Sequence, residues 1–227
     1  MNLRQNEKQK RKLHVAIVLD ESGSMLSTKT ETISGLNEQL QEYKKNDKID
    51  TTLTLVTFSG PQDVNIRYLL RPISEITGFT DADYNPDGAT AMYDGIGKAL
   101  AAIKNTAKDD DLTNYLVLVV SDGQENASKE FNANIIAEMI NERTVTKKWS
   151  INYIGANQDL SKISRTLGIN LEHNTLTYNN TTDGTQQMWT SNTGSTARYM
   201  NRLERSSGAA AVSQAFYSQE EEPTKNT

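Results

Sequence analysis

Leu13-His14-Val15-Ala16-Ile17-Val18-Leu19-Asp20-Glu21-Ser22-Gly23-Ser24 places a mostly apolar run directly before a carboxylate and two hydroxyls. A short continuous apolar run bounded by turn residues reads as a strand covered on both faces, the usual state of strands in a parallel sheet. Oxygen-bearing side chains therefore sit where a buried strand ends. A second such run, Tyr115-Leu116-Val117-Leu118-Val119-Val120, also ends on an acid, in Ser121-Asp122-Gly123. Between the two, Gly88-Ala89-Thr90 opens a helical pattern.

Outward from these runs, strands alternate with helical periodicity, the pattern of an α/β fold with a mostly parallel sheet. A first helix is expected over 28–45, with Ile33, Leu36, Leu40 and Tyr43 on one stripe. A strand over 51–58 follows it. Residues 64–70 read as an exposed edge strand with Val64, Ile66, Tyr68 and Leu70 on one face and Asn65 and Arg67 on the other. A long loop, 77–88, leads to a helix carrying Met92, Ile96, Leu100 and Ile103. After the central strand comes a helix with Phe131, Ile135, Met139 and Ile140 at core spacing. Then follow a strand at 150–154, a helix at 160–167 and a strand at 175–178. From Thr182 the pattern weakens: Met188, Trp189, Tyr199, Met200 and Leu203 suggest a helix interrupted at Gly194. Trp189 and Tyr199 are the aromatics expected at the surface. The division is a polar leader (1–12), one domain (13–205) and a flexible C-terminal tail (206–227) biased to Ala, Ser, Gln and Glu.

The chain has 227 residues, enough for one domain with a substantial core. It contains no cysteine, which removes thiolate catalysis and zinc–thiolate sites, and its two histidines, His14 and His173, lack the neighbours of a catalytic set. A net charge of −5 argues against a nucleic-acid partner, since phosphate attraction needs a basic face. No apolar stretch approaches the roughly 20 residues of a membrane span. The basic start resembles a signal peptide only superficially, because the run after it is short and stops at Asp20. A cytoplasmic location is expected, and the sequons at Asn126 and Asn180 carry no meaning on that reading.

Asp20-x-Ser22-x-Ser24 presents three oxygen groups from one tight loop. Thr90 adds another at the mouth of its helix, and Asp122 a second carboxylate from the neighbouring strand. Ligands of open α/β sheets bind outside the carboxyl ends of the strands, where strand order reverses. Hydroxyls with few acids suit magnesium, a hard cation that takes oxygen ligands and retains water. With Ser22, Ser24 and Thr90 direct, and Asp20 and Asp122 acting largely through waters, the inner shell is neutral. The ion then stays receptive to a carboxylate from another molecule.

In these residues the chain resembles the von Willebrand factor A domains, and the site resembles their metal-ion-dependent adhesion site. Asp20-x-Ser22-x-Ser24, Thr90 within Gly88-Ala-Thr-Ala-Met-Tyr-Asp94, and Asp122 in Ser-Asp-Gly match that family's three metal-binding loops. The likeness runs from about Leu13 to Tyr178 and is nearest the bacterial and viral stand-alone members. It implies a three-layer, Rossmann-like fold: a six-stranded sheet in the order 3-2-1-4-5-6, strand three antiparallel, with helices on both faces. It also implies a magnesium-dependent grip, with manganese or calcium as alternatives, on a Glu or Asp of a protein partner.

Other readings compete. Asp83-x-Asn85-x-Asp87-Gly88, closed by Asp94, fits most of an EF-hand calcium loop, although Pro86, Thr90 and the short Asp94 depart from it. Asp94 alone reads either as an outer acceptor for the metal site or as an ordinary first-turn helix acid. A magnesium-dependent phosphohydrolase would use Asp20 as nucleophile or ligand, but Ser22 stands where its general acid belongs. A self-assembling structural subunit would turn the site on another copy of the chain. The preferred expectation is a non-enzymatic binding module.

Overall fold

The computed structural model describes residues 10–206 and 216–217. Residues 1–9 of the expected leader, and most of the expected tail, lie outside the described residues. Six strands, β1 (Arg11–Asp20), β2 (Ile49–Phe58), β3 (Val64–Pro72), β4 (Thr113–Ser121), β5 (Trp149–Ala156) and β6 (Thr175–Tyr178), form one sheet in the order β3-β2-β1-β4-β5-β6. Every pairing is parallel except that of β3 with β2. The α-helices among the described residues are α1 (Lys29–Lys45), α2 (Met92–Thr106), α3 (Ala133–Thr144), α4 (Leu160–Leu167), the one-turn α5 (Leu171–Asn174) and α6 (Thr182–Arg205).

Apolar residues on both sides of the central strands call for a helical layer on each face. Leu13, Val15, Ile17 and Leu19 of β1 join Leu116, Leu118 and Val120 of β4 beneath α1 and α6. Ala16 and Val18 join Val117 and Val119 beneath α2 and α3. All nine residues of β4 are buried, and each large aliphatic side chain so placed contributes about 1.5–3 kcal/mol. Strand β1 pairs with β4 through Leu19 opposite Val120. That register sets Asp20 and Ser121 side by side at the carboxyl edge.

Several expectations are corrected. Helix α6 runs unbroken through Gly194, because burial of one face outweighs the modest helix cost of a glycine. Trp189 and Tyr199 are buried rather than exposed. Trp189 lies flat against α1, where a side chain on Gly35 would come within 2.0 Å of its ring. In α3 the core residue is Ile136, while Ile135 is exposed. Asn132 caps the helix by accepting from the Ile135 amide, and this start sets the phase. In β3 the single-face alternation fails: Val56 pairs with Ile66 but Leu55 with Tyr68. Arg67 is thus the extra residue of a bulge that sends Tyr68 to the α1–α6 core while Val64 packs on the other face, and a second register shift, between Leu53 and Leu55, returns Leu70 to the face of Val64. Within the expected tail, Phe216 is buried, and Tyr217 donates from its hydroxyl to Asn192 Oδ1 at 3.0 Å and from its amide to the His173 carbonyl at 3.0 Å. No helix among the described residues is long and apolar enough to cross a membrane.

Candidate metal centre

Asp20 closes β1 with no exposed surface. Its Oδ1 accepts from the Ser22 amide at 2.8 Å, and its Oδ2 from Ser121 Oγ at 2.5 Å. The first bond folds the loop back on itself, as Asp does readily in tight turns. Ser22 Oγ and Ser24 Oγ consequently lie 3.2 Å apart, and Ser24 Oγ donates to Asp122 Oδ1 at 2.5 Å. Thr90 reaches the same place from the turn before α2. A side chain on Gly123 would meet Thr90 Oγ1 at 2.9 Å and Asp20 Oδ2 at 3.6 Å, so the missing side chain leaves a space that these oxygens share. All five expected residues converge at the carboxyl edge of β1 and β4.

Backbone bonds join the loops: the Gly23 amide donates to the Gly88 carbonyl at 3.2 Å, and the Asp87 amide to the Glu21 carbonyl at 2.9 Å. Burial pushes the Asp20 carboxyl up to about 6, against the opposing effect of its hydrogen bonds, and the Asp122 charge adds to the rise. Burial also raises Asp122. Neither acid joins an ion pair among the described residues. The nearby guanidinium of Arg67 is taken by Glu21, at 3.2 Å. No group of three or more His, Cys, Asp or Glu able to hold a metal occurs among the described residues. The donor set is two acids and three hydroxyls around a gap. Such a set fits a hard divalent cation, which would relieve the crowding of a buried carboxylate, Asp20, and a half-buried one, Asp122.

Sequence reading missed the residues that hold this set in place. Asn126 Oδ1 accepts from the Thr90 amide at 3.0 Å while its own amide donates to the Thr90 carbonyl at 3.1 Å. Asn180 Nδ2 donates to Asp122 Oδ2 at 2.6 Å. Glu21 Oε1 accepts from the Asn85 amide at 2.7 Å, and the Tyr84 hydroxyl donates to the Asp20 carbonyl at 2.6 Å. Gln158 Nε2 donates to the Gly123 carbonyl at 2.7 Å. The sequons at Asn126 and Asn180 were the signal available, and they pointed to the right asparagines for an unrelated reason.

The EF-hand residues are not brought together. Asp83 caps the turn at Thr80, Asp87 accepts from the Gly88 amide, and Asn85 Nδ2 donates to the Ala82 carbonyl. Asp94 is fully buried and accepts from the amides of Lys129, Glu130 and Phe131. Its carboxylate anchors the segment ahead of α3.

Neither a protein-family model nor a curated protein matches the chain. Solved structures do match. Proximal thread matrix protein 1 from the mussel byssus gives a TM-score of 0.57 at 14% identity, over 79% of this chain and 46% of that one. A von Willebrand factor type A protein from Catenulispora acidiphila gives 0.55 at 13% identity, over 83% of this chain and 43% of that one. The SpRpn10 VWA domain gives 0.54 at 10% identity, over 80% of this chain and 94% of that one. This is the von Willebrand factor A fold.

The chain spans less than half the length of the mussel and Catenulispora proteins. A further structure of the mussel protein, with a TM-score of 0.52 at 16% identity over 80% of this chain and 44% of that one, has a zinc-occupied MIDAS motif, the metal-ion-dependent adhesion site. In the A-domain fold of the present chain, Asp20, Ser22, Ser24, Thr90 and Asp122 lie where the β1 and β4 loops meet the start of α2.

Proposed function

We propose that the chain is a non-enzymatic binding module that holds a divalent cation, magnesium by preference, and uses it to take up a Glu or Asp carboxylate from a protein partner. The observation that carries this reading is the engagement of both site acids by neutral donors: Asp20 by Ser22 and Ser121, Asp122 by Ser24 and Asn180. Ser22, Ser24 and Thr90 would supply the direct contacts, and hydroxyl oxygens leave most of the ion's charge uncompensated. A bound cation supplies a Lewis-acid position for an incoming carboxylate. The zinc-occupied site of the mussel protein supports metal binding on this fold.

Asp20 is a poor nucleophile here, since it has no exposed surface and both of its oxygens are occupied. That counts against the phosphohydrolase alternative. The test combines calorimetric titration of magnesium with capture from source-cell lysate, using wild type and Asp20→Ala, each with magnesium and with EDTA. Magnesium uptake and a partner recovered only by wild type in magnesium are expected. Identical recovery in all four conditions would remove the metal from the mechanism.

A further inference from the structure

Asn180 stands in the short turn between β6 and α6, far along the chain from the acid it touches. Its Nδ2 donates to Asp122 Oδ2 at 2.6 Å, and its Oδ1 accepts from Thr28 Oγ1 at 3.3 Å. The turn is firmly built: Thr181 caps α6 by accepting from the Gly184 amide at 3.1 Å, and its own amide donates to the Asn179 carbonyl at 2.7 Å. Asp122 is therefore gripped at both oxygens, by Ser24 on one side and Asn180 on the other. Ser24 belongs to the expected donor set. Asn180 does not, so its hydrogen bond needs a separate account.

We propose that Asn180 is a positioning residue that keeps Asp122 from becoming a direct ligand of the cation. This inference rests on the metal-binding reading above. A carboxylate beside a divalent ion is drawn towards it, and each anion that enters the inner shell lowers the ion's attraction for a further carboxylate. A lysine or arginine at position 180 would hold Asp122 equally well, but its positive charge would oppose the cation. An amide donor restrains Asp122 without that opposing charge. Asn180 thus trades metal affinity for receptivity to a partner's acid. Its loss should strengthen metal binding, the reverse of what a merely structural contact would do.

Manganese serves as the probe, with free ion followed by electron paramagnetic resonance and inner-sphere water counted by water-proton relaxation. Asn180→Ala is expected to bind manganese about tenfold more tightly, the scale on which outer partners alter metal affinity, and to retain one inner-sphere water fewer than wild type. Asn180→Leu, close in volume but without the donor, should behave alike, which covers the case in which the alanine variant folds poorly. Adding Asp122→Asn to Asn180→Ala should return the lost water. Unchanged hydration with equal or weaker affinity in both Asn180 variants would overturn the proposal. Failure of wild type to bind manganese would instead bring down the metal reading, and this inference with it.

Discussion

Asp20 illustrates at one residue how a buried acid costs stability. In the metal-free protein its carboxyl is pushed up to about 6 by burial, so the folded state prefers the neutral acid more than the unfolded chain does. Stability of the metal-free form therefore falls as pH rises from about 4, the usual carboxylate range, to about 6. Asp20→Asn removes that penalty. At pH 7 the variant should be more stable than metal-free wild type by on the order of 2 kcal/mol, and magnesium should add nothing to it, as thermal melts with and without the ion would register. His14 runs the opposite way in pH. Burial first, then the neighbouring Lys12, lowers its pKa, and its Nδ1 is 2.7 Å from Thr52 Oγ1. The unfolded chain then takes up a proton that the folded one resists, so stability is complete above about 6.5 and declines as pH falls below it. Replacement by Gln should flatten this part of a denaturation-against-pH curve. At this scale the five candidate ligands were legible because each follows or opens a regular element within a few residues. Asn126 and Asn180 were not, because the groups they hold lie 36 and 58 residues away.

Among the elements, α4 and β6 have the bounds expected from sequence, whereas α6 was misread at its centre. The reason is chemical. Its inner face carries Asn192, Ser195 and Thr196, all buried, with Asn192 Nδ2 donating to Gln39 Oε1 at 2.8 Å and Gln39 Nε2 donating to Thr196 Oγ1 at 2.7 Å. A polar seam between two helices breaks the apolar stripe on which periodicity depends. The β3 bulge was hidden for a different reason, since an extra residue leaves composition unchanged and shows only in pairing. Two glycines predict opposite outcomes from the same substitution. A side chain at Gly194 would meet nothing nearer than Arg198 Nη1, at 3.5 Å, so Gly194→Ala should stabilise by about 0.5–1 kcal/mol. Gly35→Ala must displace the Trp189 ring, at a cost of about 1–3 kcal/mol or more. Denaturant midpoints of the two variants should move in opposite directions.

For the molecule as a whole, strand alternation gave the fold class, while strand order required the resemblance and then the registers themselves. Metal binding only to the folded state should appear as stability: magnesium at a hundred times its dissociation constant adds about 2.7 kcal/mol. For a domain of this size that is roughly 5 to 10 °C in melting temperature, reversed by EDTA, and an unchanged melt would count against the site. The pairing of β1 with β4 has a further consequence, for the protein while it is being made. Asp20 and Ser121 are 101 residues apart, and Asp122 and Asn180 lie further along the chain still. At about 5 to 20 residues per second, a ribosome releases the first metal loop many seconds before the last. On the proposed function, a nascent chain that has released only the first loop would have no complete site for an acidic partner, and the site would close only after Asn180 emerges.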